Sequence, residues 1–436
     1  MSTPTTMLRT PPTASQLGAR VGLSALKALR SGFGGILPIL EMVQRELGDI
    51  FQLTLPGFSP VFVASPDALR QVLVQDRDAY LWRPADDPVA RLLRRGVLVT
   101  DGDEHKRLRA IMAPSSHHKH FAPRSQLIWQ ETDRILDAWQ SGRTYDMLVE
   151  MRKLTLLIFE QVYFSHDLLP ELDDIWEPML TALEYISPGL WVVSGASDPP
   201  RELQALDDHL YDLIRQRRAD PNPPDDLLTH LVQALDDDEL VRDQMLTMLI
   251  AGHDTSTALL AWTLYLLGRE SEWMEQAQIE VWETLGSKPP TPENVGALSV
   301  LDQVVKESLR LYPPIHVGNR FTAWDVELAG YHIPAGTRVM LSYYLVQRHA
   351  DYWDAPTESR PQRWSKGFRP APFTYVAFGG GPRSCIGGPF ARMESRLVLA
   401  RILQRAELNL RSRKVSAYMG ATLEPRPDVK MRVSLL

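Results

Sequence analysis

Between Met245 and Leu267 the chain reads MLTMLIAGHDTSTALLAWTLYLL, with five polar residues in a row, His253 to Thr257, at the centre of an otherwise apolar run. A helix over 243–267 would be roughly 37 Å long, enough to cross a domain. Membrane spans of that length carry few or no charges, and an ionisable group in mid-span marks function or a partner. The run therefore predicts a buried helix at the middle of a large helical fold. Its polar centre needs a chemical reason.

Helical periodicity recurs on both sides, over 126–140, 146–163, 172–185, 202–218, 273–285, 301–312 and 389–405. A hairpin is read at 50–55 and 61–64, and short strands at 326–328, 331–333 and 338–342, punctuated by Gly330 and Pro334-Ala335-Gly336. The expected fold class is mainly α with a minor β portion. The Thr/Pro-rich residues 1–20 read as disordered. No linker-like composition splits the remainder, and Asp220 to Asp226, DPNPPDD, suits a helix connection. Residues 21–436 are thus read as a single, mainly helical domain. A formal net charge of −7 argues against a nucleic-acid partner, which would favour a basic stripe. One cysteine excludes an internal disulfide and any multi-thiolate metal site. With no signal-peptide core or membrane anchor in the sequence, the expected location is cytoplasmic.

That cysteine, Cys385, lies in FGGGPRSCIGGPFARME, residues 378–394. Pro389 fits a first helical turn, so Cys385 sits just ahead of a helix N-terminus, where free N–H groups favour negative charge. Gly379, Gly380, Gly381, Gly387 and Gly388 let a flat ligand approach the backbone. Arg383 can donate charged hydrogen bonds, and Phe378 can form an aromatic wall. Taken alone, Cys385 is better read as a small buried hydrophobe; the glycines and the arginine weigh against that.

Phe378, Gly381, Arg383, Cys385 and Gly387 resemble the haem-binding loop of the cytochrome P450 family, and Ala391 and Glu394 match the helix that follows it. The resemblance implies that fold, with haem b lying between the long helix and the cysteine-loop helix and the Cys385 thiolate as axial iron ligand. Glu307-Ser308-Leu309-Arg310 before Leu311-Tyr312-Pro313-Pro314 resembles the family's core signature, and Arg363 matches the arginine that completes it. As bare residues, Glu307 and Arg310 could be an ordinary surface pair on one helix face; the resemblance gives all three a structural role. Asp254 and Thr255 resemble the family's acid–alcohol pair, with Thr255 hydrogen-bonding dioxygen and Asp254 bringing protons in. Gly252 and a Thr255 hydroxyl bonded to the Ala251 carbonyl would permit a local bend or bulge there. His105 with Arg109, Arg320 and Arg383 are matched to propionate donors, while Ala251, Phe378, Gly379 and Gly387 line the cofactor.

The implied reaction uses dioxygen, two electrons and two protons, and leaves one oxygen atom in a lipophilic organic substrate and the other in water. Thiolate ligation favours O–O cleavage. The chain has no flavin or iron–sulfur signature, so a separate ferredoxin- or flavodoxin-type donor with its reductase is expected, docking near Lys106, Arg107, Arg109 and Lys119. Pocket residues implied by the resemblance are Trp82, Trp191, Leu249, Ile250, Ile315, Val317 and Thr422, with His316 as one polar possibility. Arg383 and ESLRLYPP look like the membrane-type branches, so the chain reads as a soluble prokaryotic-type member with microsome-like motifs. A peroxide-driven peroxygenase or a haem-thiolate isomerase is the alternative; such members typically lose the acid–alcohol pair, which is intact here.

Overall fold

The computed structural model describes residues 8–18, 36–54, 57–84, 87–188, 195 and 197–436. Its axis is the helix Asp238–Arg269, 32 residues long. The Asp237 carboxylate starts it by accepting the N–H groups of Glu239 and Leu240. Apolar residues on every side of this helix are buried, as a helix hydrophobic all round requires. Helices Met147–Phe159, Gln204–Ala219 and Ser299–Leu311 pack on it, and so does the helix after the cysteine, Gly388–Arg405. One continuous apolar cluster joins them, from Leu92 and Phe121 through Leu246 and Leu260 to Leu397 and Val433.

The read helices all exist, with ends shifted by a few residues. The segment read as one helix over 146–163 is Met147–Phe159 followed by a wider π turn, Glu160–Phe164. The bulge allowed at Gly252 is absent, since the α-helix assignment continues through it. Gly252 serves packing instead, because a Cβ there would lie 2.4 Å from the Phe159 ring.

A mainly antiparallel sheet flanks the helices in the order 50–52, 61–63, 338–342, 317–322, 80–81, with only the 61–63/338–342 pair parallel. A second sheet joins Thr144–Asp146, Lys430–Leu435 and Ala406–Leu410. Part of the connection inside the early hairpin lies outside the described residues. So do 1–7 and 19–20 of the segment read as disordered. Within residues 8–18 two isolated bridges, Arg9 to Tyr331 and Thr13 to Gln52, tie the chain to the strands, and a short helical turn covers Ala14–Leu17. No described helix is long and apolar enough to cross a membrane.

Candidate active site

The cysteine loop is held by its own backbone. The Cys385 N–H donates to the Phe378 carbonyl at 2.9 Å, and Ser384 N–H to Gly381 at 3.0 Å. Gly381 has φ +67, and a Cβ there would meet the Leu73 carbonyl oxygen at 2.3 Å, so only glycine fits. Pro389 occupies the first turn of Gly388–Arg405. Cys385 is solvent-accessible although protein surrounds it on most sides, as suits a thiol facing a concavity. Burial pushes this thiol up, against the Gly387 and Gly388 N–H groups, Arg109 and Arg392. An iron ion would supply the stronger pull needed to keep it a thiolate.

The long helix presents its polar centre to the cysteine-loop helix. Ser256 Oγ donates to Glu394 at 2.5 Å, joining the two. Ala251 is exposed and Gly252 and Thr255 are half-buried on a helix whose neighbouring residues are buried, so that face borders open space. Thr255 Oγ1 donates to the Ala251 carbonyl at 2.8 Å. Asp254 points elsewhere. Its carboxylate is buried, 3.1 Å from Arg152 and accepting from Thr422 at 2.8 Å, while Arg152 also pairs with buried Glu424. His253 is buried with Nε2 unpartnered, and burial, then Arg152, pushes it down to about 3, so it is neutral.

The cationic residues gather beside the loop. Arg109 donates to the Ser384 carbonyl at 2.7 Å, next to the thiol. Arg383 is held by Asp101 at 2.6 Å and the Thr100 carbonyl at 2.5 Å. Arg320 is 5% exposed, lies 3.8 Å from the Trp82 ring centre, and donates to the Asn319 carbonyl at 2.7 Å. Among the described residues it has no carboxylate partner, and burial pushes it down to about 10. His105 is pushed down to about 4 by burial, then by Arg383 and Arg109, so it is neutral. Trp82, assigned to the substrate pocket, lies instead between Arg320 and Arg383, with Nε1 buried and unpartnered. A buried cation lacking an anion, beside an orphaned N–H and an accessible thiol, fits a haem with two propionates.

Behind the loop, Glu307 collects five donors: Arg310 at 2.8 and 2.9 Å, Arg363 at 3.0 Å, Trp364 Nε1 at 2.8 Å and Arg360 N–H at 2.9 Å. Burial raises this carboxyl, but Arg310, the Arg360 N–H and Arg363 outweigh it and hold it below its usual range. Sequence reasoning missed Gln347 and Trp353, which connect this cluster to the cysteine loop. Gln347 Nε2 donates to the Leu309 and Arg310 carbonyls while its oxygen accepts the Val376 N–H. Trp353 lies under Arg310 and donates to the Thr374 carbonyl. A buried glutamine and a tryptophan have no local spacing that would have flagged them.

Of the remaining pocket candidates, Leu249 and Ile250 are buried, Val317 is half-buried in the strand 317–322, and Ile315 is exposed. Thr422 is wired to Asp254. Trp191 lies outside the described residues. His316 is buried and pushed down to about 4, so it is neutral. Phe378 lies against Gly388 and beneath Arg392, and Gly379 has φ +69.

This is the site of a haem-thiolate oxidoreductase. The chain matches the family model "Cytochrome P450" over residues 25–427 and belongs to that family. It is 29% identical to pentalenene oxygenase of Streptomyces avermitilis over 426 residues, 91% of this chain and 92% of that one. It is also 29% identical to cyclooctatin synthase of Streptomyces melanosporofaciens, over 88% and 86%. The crystal structure of the cytochrome P450DA heme domain superposes with a TM-score of 0.83 at 25% identity, covering 98% of this chain and 96% of that one. The protein is a P450 monooxygenase with a haem cofactor held by a cysteine thiolate; members of the family generally use dioxygen and redox partners.

Proposed function

We propose that residues 21–436 form one catalytic domain that binds haem b through Cys385 and inserts one atom of dioxygen into a lipophilic substrate by hydroxylation or epoxidation, in the cytoplasm. Electrons come from a separate ferredoxin- or flavodoxin-type donor and its reductase. The observation that carries this reading is the buried guanidinium of Arg320, which has no carboxylate partner among the described residues and lies beside the buried Trp82 N–H, close to the Cys385 loop.

When bound, the haem supplies the oxidising chemistry. Arg320, Trp82 Nε1 and the remaining N–H groups of Arg383 and Arg109 take its carboxylates, with neutral His105 beside them. Phe378, Gly379 and Gly387 leave room for its face. The Thr255 hydroxyl rotates off the Ala251 carbonyl to donate into the groove. Asp254 Oδ2 carries a proton inward after exchanging its contact with Thr422, and Arg152 holds the carboxylate in position through Oδ1. Leu249, Ile250, Ile315 and Val317 keep the substrate side apolar, with Thr422 as a further wall residue. The intact Asp254–Thr255 pair favours dioxygen and reductant over the peroxygenase or isomerase reading.

The test is spectroscopic. The reduced carbon monoxide adduct should show the red-shifted Soret band of a thiolate-ligated haem, and Cys385→His should abolish it. A wild-type adduct with the band of a histidine-ligated haem would sink the proposal. Product formation with a surrogate reductase, absent with peroxide alone, separates the monooxygenase from its alternative.

A further inference from the structure

A second polar cluster lies away from the haem residues, where the helix ending at Phe159 meets Gln204–Ala219. Glu160 opens the π turn after Phe159 and is wholly buried. Its Oε1 is 3.4 Å from His209 Nε2, and its Oε2 is buried with no hydrogen-bond partner among the described residues. His209 turns Nδ1 to Glu171 at 3.4 Å. Glu171 also lies 3.5 Å from His166 Nε2, another buried atom that makes no hydrogen bond. The two imidazole rings meet edge to face at 5.2 Å. Ligand atoms of Glu160, His166 and His209 all lie within 4.8 Å of one another. His166 and His209 line a cleft of about 330 Å³ together with Glu171, Asp174 and Asp212, and Glu160 lies buried behind it.

A protonated His209 held between two carboxylates is the plain alternative. Its contacts are longer than the 2.7–3.2 Å typical of N–H···O bonds, and it leaves Glu160 Oε2 and His166 Nε2 unsatisfied. A tetrahedral zinc with bonds of about 2.1 Å places neighbouring ligand atoms roughly 3.4 Å apart, which is the spacing between Glu160 and His209.

We propose that Glu160, His166 and His209 form a site for a borderline divalent transition-metal ion of the zinc class, with Glu171 orienting His209 through Nδ1. Two imidazoles and one carboxylate are a zinc-type donor set, with a fourth position open to water in the cleft. The carboxylate on the far ring nitrogen fixes which nitrogen faces the metal. The ion ties the turn after Phe159 to the helix Gln204–Ala219 and, through Glu171, to the start of Leu172–Ile186. Metal occupancy thereby holds these three elements to one another.

The test uses untagged haem-loaded protein, treated with a chelator and then titrated with Zn²⁺ against a chromophoric competitor. A second group, His120, Asp225 and His230, could also hold a cation, so His120→Ala/His230→Ala serves as the background. One zinc per chain should bind in that background and raise Tm. Adding His166→Ala should weaken binding by about 10-fold or more, and Glu171→Gln by less. A zinc soak should give an anomalous peak between Glu160 and His209. Absence of zinc binding in the background protein would overturn the proposal, as would unchanged binding after His166→Ala.

Discussion

Glu394 is a carboxyl group with a hydroxyl for a neighbour and no cation in hydrogen-bonding reach, and burial pushes it up to about 8. It therefore keeps its proton at neutral pH, while the same residue in the unfolded chain loses it above about pH 4.3. Between those values the unfolded state binds fewer protons than the folded state, so stability falls as pH rises. Glu394→Gln copies the protonated shape and removes that slope. Urea unfolding of the haem-loaded protein at several pH values should show the variant gaining on wild type from about pH 4.5 to 8, by a few kcal/mol at most, and then levelling. Parallel curves would contradict this. Glu307 is the opposite case, an ionised carboxylate that two guanidinium groups require. Glu307→Ala leaves Arg310 and Arg363 without their counter-ion and should cost about 3–5 kcal/mol. Trp364→Phe removes one of its five donors and should cost about 1 kcal/mol from that hydrogen bond, plus whatever repacking adds. Denaturation midpoints and the haem-bound fraction measure both.

At the scale of elements, the contact between Asp238–Arg269 and Met147–Phe159 is set by the absence of a side chain. The Phe159 ring occupies the place a Cβ at residue 252 would need, in a face that also carries the Thr155–Thr257 hydroxyl contact at 2.7 Å. Gly252→Ala should gain about 1 kcal/mol of helix propensity and lose about 1–3 kcal/mol to overpacking, for a net loss. Phe159→Leu in the same protein should recover much of that loss. Additive rather than compensating effects in this double-mutant cycle would show that the ring is not the obstacle. The same contact decides where the polar centre of the long helix points. It turns Asp254 toward Arg152 and leaves Ala251 and Thr255 on the accessible side.

At the scale of the molecule, the acidic chain carries an exposed group of Lys106, Arg107 and Lys119. Lys106 pairs with Asp103 at 2.8 Å and Arg107 with Glu104 at 3.0 Å, all on the surface. Such pairs are worth little to stability, yet they reduce the net charge offered to a docking protein. Reversing Lys106 and Arg107 to glutamate should slow reduction by an acidic donor by about 10-fold at low salt, a difference that shrinks as salt screens it. Stopped-flow reduction at two ionic strengths checks it, and equal rates at low salt would remove this face as the docking site.

The cysteine loop and the Glu307–Arg310 pair were legible because each depends on local rules. Glycines open a loop within a few residues, Pro389 opens a helix, and residues three apart share a helix face. The long helix was legible because its apolar residues run for several turns, whatever covers them. Local rules could not show what Gly252 faces, and the resemblance did not show which charges Trp82 touches. Both depend on a partner far along the chain, Phe159 for one and Arg320 with Arg383 for the other. The same holds for Gln347 between two distant segments, for Asp254 with Arg152 and Thr422, and for Glu160 with His209. Periodicity and turn chemistry reach only the next helical turn. Which charges meet inside the molecule, and so which groups are free to act, was decided when the helices closed on one another and water was excluded between them.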